Sequence, residues 1–442
     1  MKILNVNQRA RRVLGGVCSV LMVGSVQSVE VDARLLQQLQ DTVAQQQEQL
    51  RHQAEILTTL QNQINALKPQ DKQNGIVQTA PEAERKLTAI VTSGGEALKL
   101  NISGQINRAI NHVSDGKNTD YYFVDHSTSG SRVLFDASAS INDDLLLDSR
   151  IELAIAPDNS AAVSQSTQAP ADSFNQRWAE LSLTSKQYGK LSLGKGDAAS
   201  NTTAEADLSS TLSVQNSSIS DIVYGMFFRE HAGNHNLSTI KVSTAFNNLD
   251  GLNRESRLRF DTPRFHGVQL STSMMSNRRS DLALFWDGQG YGFNAAARAA
   301  ISNPNINNNN LTTLGANANP GSKRYDGSFS VLHVASGLNF TASSGVQKRD
   351  THIDDRNLYG KLGWLVRLNN FGNTAFIADY TRAKNTPAAY DVGHATGIGL
   401  DQFFDKYNTE VYLQYRRFSL DRYTGPTVDD ISAATFGARI RF

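Results

Sequence analysis

The sequence predicts an all-β protein: a 16-stranded antiparallel transmembrane β-barrel preceded by an N-terminal α-helical coiled coil. Three observations predict it. Apolar and polar residues alternate at period two from about residue 97 to Phe442, an apolar repeat of seven runs over 29–68, and the connections between candidate strands alternate between short and long.

The alternation is clearest at 431–442, where Ala434, Phe436, Ala438, Ile440 and Phe442 form one face and Thr435, Gly437, Arg439 and Arg441 the other. At the edge of a soluble sheet such a strand would invite aggregation. In a closed barrel its apolar face meets lipid, its polar face meets the lumen, and no edge remains. Sixteen segments read this way: 97–112, 131–141, 144–157, 175–185, 189–196, 254–262, 267–276, 281–286, 291–301, 325–334, 338–347, 357–368, 374–383, 396–404, 409–420 and 431–442. Short connections include 142–143, 186–188 and 335–337. Long ones include 113–130, 158–174, 197–253 and the Asn-rich 302–324. One rim of tight turns and one of long loops is the asymmetry of outer-membrane barrels.

The N-terminus reads as an export signal over 1–28. Lys2, Arg9, Arg11 and Arg12 precede an apolar stretch, 13–26, with cleavage expected after Ser28. Its removal takes four of the 43 basic residues and none of the 42 acidic ones, leaving a net charge of −3, and it takes the only cysteine, Cys18. A thiol-free mature chain suits an oxidising envelope. No later run approaches the 18 apolar residues of a membrane helix. Near-neutral charge without a basic patch argues against a nucleic-acid partner.

Over 29–68, Leu36, Val43, Leu50, Leu57 and Ile64 fall at heptad a, and Leu39, Gln46, Gln53, Leu60 and Leu67 at d. This is a coiled-coil seam, so partner copies are expected, with Gln46 and Gln53 setting register. Pro69 ends the repeat, and 69–96 reads as a polar linker to the barrel at 97–442.

Several segments resemble the trimeric Gram-negative porins: Ser131-Arg132-Val133-Leu134-Phe135; 177–183 (RWAELSL) followed by 188–195 (YGKLSLGK); 257–263 (RLRFDTP) with Phe265 and Gly267; 409–413 (TEVYL); and the terminal Phe442. The resemblance implies a homotrimer of 16-stranded barrels, each with a third loop folded inward to narrow the pore. It implies outer-membrane lipid and lipopolysaccharide as surroundings, and Phe442 as part of a signal to the barrel-assembly machinery. The coiled coil is similar to the N-terminal extension of sucrose-specific and dicarboxylate-type porins, and it could engage the cell wall. The Pro-Glu-Phe-Gly-Gly-Asp run of the general-porin third loop is absent, so constriction residues cannot be transferred by position.

A selective pore needs opposed charges across a narrow section. Strand parity directs Arg132, Arg150, Arg257, Arg259 and Arg416 to the lumen, and Arg177 aligns with a basic position of the family's fourth strand. The acidic side is expected from loop 197–253, through Asp197, Glu205, Asp207 and Asp221. Within that loop 222–228 (IVYGMFF) is too apolar for water and should pack on the inner wall. Arg108 and Glu180 break parity. Either they face a neighbouring subunit or a β-bulge resets their strands.

No G-x-S-x-G or H-E-x-x-H motif is present, so no enzyme chemistry and no cofactor are expected. His231 and His235 sit four apart on a loop without an evident third ligand, so no metal is expected either. The reading is a passive diffusion channel for small hydrophilic solutes. Its rivals are a channel specific for a sugar or small organic anion, and a structural protein tethered to the cell wall by its rod. The arginines favour anions and the net charge of −3 favours cations, which leaves the sign open.

Overall fold

A computed structural model describes residues 91–93, 98–304, 322–349 and 353–442. The expected signal peptide (1–28), the coiled coil (29–68) and most of the linker and of the Asn-rich loop lie outside the described residues. Those described fall within one compact unit, Ile76–Phe442.

Sixteen strands close into a ring. They are β1 (Lys99–Ser114), β2 (Arg132–Ser140), β3 (Leu145–Ala156), β4 (Ser173–Ser185), β5 (Gly189–Asp197), β6 (Arg254–Asp261), β7 (Val268–Met275) and β8 (Ser280–Gly290). Then come β9 (Phe293–Asn303), β10 (Lys323–His333), β11 (Leu338–Lys348), β12 (Asp355–Val366), β13 (Thr374–Lys384), β14 (Val392–Phe404), β15 (Thr409–Asp421) and β16 (Ile431–Arg441). Neighbours pair antiparallel throughout, and β16 returns to β1 from Gln105↔Arg441 to Ser114↔Ser432. Reciprocal backbone bonds between Gly104 and Phe442, 2.8 and 3.0 Å long, finish the seam.

The ring is inside-out relative to a soluble domain. On β15, Glu410, Tyr412, Gln414 and Arg416 are buried, whereas Leu413 and Tyr415 are exposed. On β16 the buried row is Thr435, Gly437 and Arg439, and the exposed row is Phe436, Ala438 and Ile440. The polar face is thus the enclosed one, as lipid outside requires. Each of the sixteen expected segments coincides with one strand of the ring. Two strands are longer than expected: 281–286 extends to Gly290, and 396–404 begins at Val392, because the polar tail at 287–290 and the Gly393-His394-Ala395 stretch hide the pattern.

The expected long loop 113–130 is different. Residues Thr119–Asp125 form a further strand on the upper half of β1, from Arg108↔Asp125 to Ser114↔Thr119, while β2 takes the lower half from Lys99↔Ser138 to Gln105↔Arg132. A tight turn joins them, with the Asp115 carboxylate accepting from the backbone N–H of Lys117 and Asn118. The signal was legible, since Tyr121 and Phe123 point outward while Tyr122 and Val124 are buried. Between the two half-strands, 126–131 tucks inward, where Ser129 meets Gln105, Asn107 and Arg439.

A register shift separates the pairs Glu152↔Trp178 and Leu153↔Gln176, leaving Arg177 without an opposite residue. This bulge resets the parity of β4. Leu181 and Leu183 face out, while Glu180 and Ser182 face in. The expectation of Glu180 at a subunit interface is therefore corrected: its carboxylate is buried inside against the Arg257 guanidinium. Arg108 keeps its outward parity between exposed Ile106 and Ile110. Its Nη1 donates to the Pro157 carbonyl at 2.6 Å, and its Nη2 lies 3.7 Å from Asp158 Oδ2.

Removing one partner of a buried ion pair strands the other charge, at a cost of about 3–5 kcal/mol. Glu180→Ala is expected to lose about that much in equilibrium denaturation of the detergent-folded barrel. Replacing an exposed residue such as Lys186 should change it by less than about 0.5 kcal/mol.

Candidate functional site in the barrel lumen

The segment between β5 and β6 bonds to inward-facing side chains around much of the ring. Ala199 N–H donates to Ser273 Oγ on β7, and Ser200 donates to Asp281 on β8 through both its backbone N–H and its hydroxyl. Ala206 and Leu208 N–H donate to Ser328 and Ser330 on β10, at 2.8 and 2.9 Å. Lys361 of β12 pairs with Asp207 and donates to the Gln215 carbonyl. Ser213 Oγ donates to Glu410 on β15, and Asn111 of β1 donates to the Ile222 carbonyl at 2.7 Å. On its way back the loop is held by Thr386 at Ala245 O and by Arg324 at the Asp250 and Gly251 carbonyls.

Its apolar run has a matching purpose. Ile219, Ile222, Val223, Met226 and Phe228 are buried in one cluster with Val113, Tyr122, Val124, Phe246 and Phe418. A segment this apolar is stable inside the barrel because Val113, Phe418 and the inward residues of 119–125 give it an apolar patch of wall to pack on.

The predicted basic residues separate into two kinds. Arg257 and Arg416 are consumed structurally, each with a side chain 1 % exposed. Arg416 makes a bidentate pair with Asp379, both bonds 2.6 Å, and a Cβ on Gly397 would collide with it. Arg259 pairs with Asp261 at 2.8 Å and also donates to the Ala198 carbonyl. Arg150 pairs with Asp136 at 2.7 Å and lies 5.3 Å from the centre of the Trp178 ring.

Arg132 and Arg177 are the second kind. They share one carboxylate, Glu152, and their side chains stay 23 % and 28 % exposed. Arg254 and Arg439 lie within electrostatic range of Arg132, so four guanidinium groups gather on this wall. Neither Arg254 nor Arg439 was among the expected site residues. Arg254 opens the expected strand 254–262 beside the loop, and Arg439 lies on the polar face of 431–442, which is the signal that could have found them.

The predicted acids do not line up as one wall. Asp197 is neutralised by Arg254 at 2.9 Å and accepts from Asn201. Asp207 is spent on buried Lys361. Glu205 accepts from Asn248, and burial, reinforced by Asp250 and Asp221, lifts its carboxyl far above the usual range. Burial pushes Asp221 up to about 6, and Asp250, missed in the sequence, moves the same way for the same first reason. What remains is a partly exposed pair of arginines, Arg132 on β2 and Arg177 on β4, beside a loop whose Asp197 and Asp207 are paired and whose Glu205 is held toward its neutral form.

A family model described as Gram-negative porin matches residues 87–438. Among solved structures the chain is similar to an anion-selective porin from Comamonas acidovorans, at 13% identity and a TM-score of 0.53, covering 78% of this chain and 100% of that one. It is also similar to OmpT, an outer-membrane protein of Vibrio cholerae, at 12% identity and a TM-score of 0.52 over 79% and 99% of the two chains. Salmonella typhi OmpF in complex with daunomycin aligns at 13% identity and a TM-score of 0.50 over 80% and 100%. At such identities the likeness is one of fold. No curated protein matches the sequence significantly. With a family match running along most of its length and onto a closed 16-stranded barrel, the chain belongs to the Gram-negative porins of the outer membrane.

Proposed function

We propose that the protein is a passive diffusion channel for small hydrophilic solutes, that loop 197–253 narrows its lumen, and that it favours anions. The observation that carries the preference is the imbalance at Arg132 and Arg177, two part-exposed guanidinium groups sharing the single carboxylate of Glu152. Of the loop acids that would offset them, Asp197 and Asp207 are paired and Glu205 is held toward the neutral form by burial. Charge confined by low-dielectric walls focuses its field on the passing ion.

The channel works as a homotrimer in this reading. Arg108 supports it, because a cation on the outer face between Ile106 and Ile110 is costly against lipid and acceptable against a neighbouring protomer. Light scattering of the detergent-purified full chain should give the mass of three chains; a single-chain mass contradicts this part.

Reversal potentials in a salt gradient should show anion preference. Replacing Arg132 or Arg177 by Ala should lower the anion-to-cation permeability ratio, with anion permeability falling by up to about fivefold and cation permeability rising by a similar factor, since a unit charge about 4 Å away contributes about 1 kcal/mol in water. An unchanged ratio would sink the assignment. A conductance that saturates with one organic anion, rather than rising linearly, would favour the solute-specific rival.

The pH dependence has a definite sign. Asp221 ionises near pH 6, and Asp250 is also raised, so both take up protons as pH falls through that range. The loop then loses negative charge, and anion preference should increase between pH 7.5 and 5. The packed loop should become more stable over the same interval, because burying a carboxyl costs less once it is neutral. A preference that falls on acidification contradicts the reading.

A further inference from the structure

We infer that His231, His235 and Asp429 form a binding site for a borderline divalent transition ion such as Zn²⁺, where the third loop meets the connection between β15 and β16. The sequence offered two histidines without a third ligand; the fold supplies it from 194 residues further on. Asp429 Oδ1 lies 2.5 Å from His231 Nδ1, and Oδ2 lies 2.5 Å from His235 Nδ1. One ligand atom from each residue can be chosen so that all three lie within 4.8 Å of one another.

Backbone rather than chance holds these groups together. Residues 227–229 and 237–241 form a two-stranded ribbon whose tip carries both histidines. That tip is stitched to 427–429, with His231 N–H donating to the Thr427 carbonyl and Asp429 N–H to the Arg229 carbonyl, both at 2.8 Å. His235 takes a left-handed conformation, φ 52°, and its carbonyl accepts from Arg229, which is anchored in turn on buried Asp115. Beneath the carboxylate, Gly116 leaves no room for a side chain, since a Cβ there would come within 2.4 Å of Asp429 Cβ. Asp429 is therefore fixed from two sides.

Two imidazoles and one carboxylate are the donor set that suits zinc, and bond lengths of about 2.0–2.2 Å bring such ligands about 3.3 Å apart. Reaching that spacing from the present 2.5 Å contacts requires the two rings to turn away from the carboxylate. His231 is largely exposed, which leaves the remaining positions on the ion to water. Binding replaces the imidazole–carboxylate hydrogen bonds with metal bonds: a neutral imidazole that ligates through Nδ1 keeps its proton on Nε2, a protonated one releases one proton to solvent, and no redox change is involved. The ion would tie the third loop to the β15–β16 connection. This assignment stands independently of the anion preference above.

Full-length protein in detergent, stripped with chelator, is titrated with Zn²⁺ by calorimetry and with Co²⁺ by visible absorption. We expect saturation at one ion per chain and Co²⁺ bands that report nitrogen and oxygen ligation. His231→Ala, His235→Ala and Asp429→Asn should each weaken binding by at least about tenfold, because losing a ligand costs no less than losing an outer-shell partner. Circular dichroism should show the barrel intact, and His231, being exposed, removes little packing. No binding by the wild type, or equal binding by all three variants, overturns the site and leaves a simple histidine–carboxylate clasp.

Discussion

Charge inside this barrel has to be answered by charge. Closing the sheet removes every backbone edge, but it encloses the polar faces of sixteen strands, and an ion taken from water without a partner costs several kcal/mol. The pairs Arg257–Glu180, Arg416–Asp379, Arg439–Glu410 and Lys361–Asp207 meet that demand. The first three link one strand to another. The last links a strand to the third loop, so satisfying the wall and placing the loop are one problem.

Once the wall is neutralised in this way, what it has left over becomes the functional signal. Arg416 and Arg257 look on paper like pore residues but have no charge to spare. Arg132 and Arg177 do, because two guanidinium groups meet one carboxylate. Of the loop's acids, Asp197 and Asp207 are engaged by Arg254 and Lys361, and burial raises Glu205 toward its neutral form. In the proposed reading selectivity is a remainder, set by the balance among the inward residues rather than by any one of them.

Much of the fold could be read from period two, because lipid outside and polar groups inside impose it on every strand; β15 and β16 carry it almost without exception. The failures have local causes. Thr119–Asp125 alternates clearly, but its flanking polar residues made it look like loop. The single extra residue at Arg177 turned Glu180 from outside to inside, and no propensity marks a bulge in advance. At the candidate site, parity correctly sent Arg132 inward but could not reveal that Arg416 would meet Asp379 or that Asp207 would meet Lys361. Those contacts join residues 37 and 154 apart. The third ligand for the two histidines was hidden for the same reason.

The account stands or falls on whether the third loop rests against the inner wall in the conducting state. Cysteines at Ala206 and Ser328, whose backbone N–H and hydroxyl are 2.8 Å apart, test this in a chain whose one native cysteine, Cys18, is replaced by Ser. Single-channel conductance of the double variant, recorded before and after oxidation, is the decisive measurement. The account predicts a disulfide that forms readily and leaves conductance unchanged, because the bond locks the loop where it already lies. Failure to cross-link, or a step in conductance when the bond closes, would contradict it.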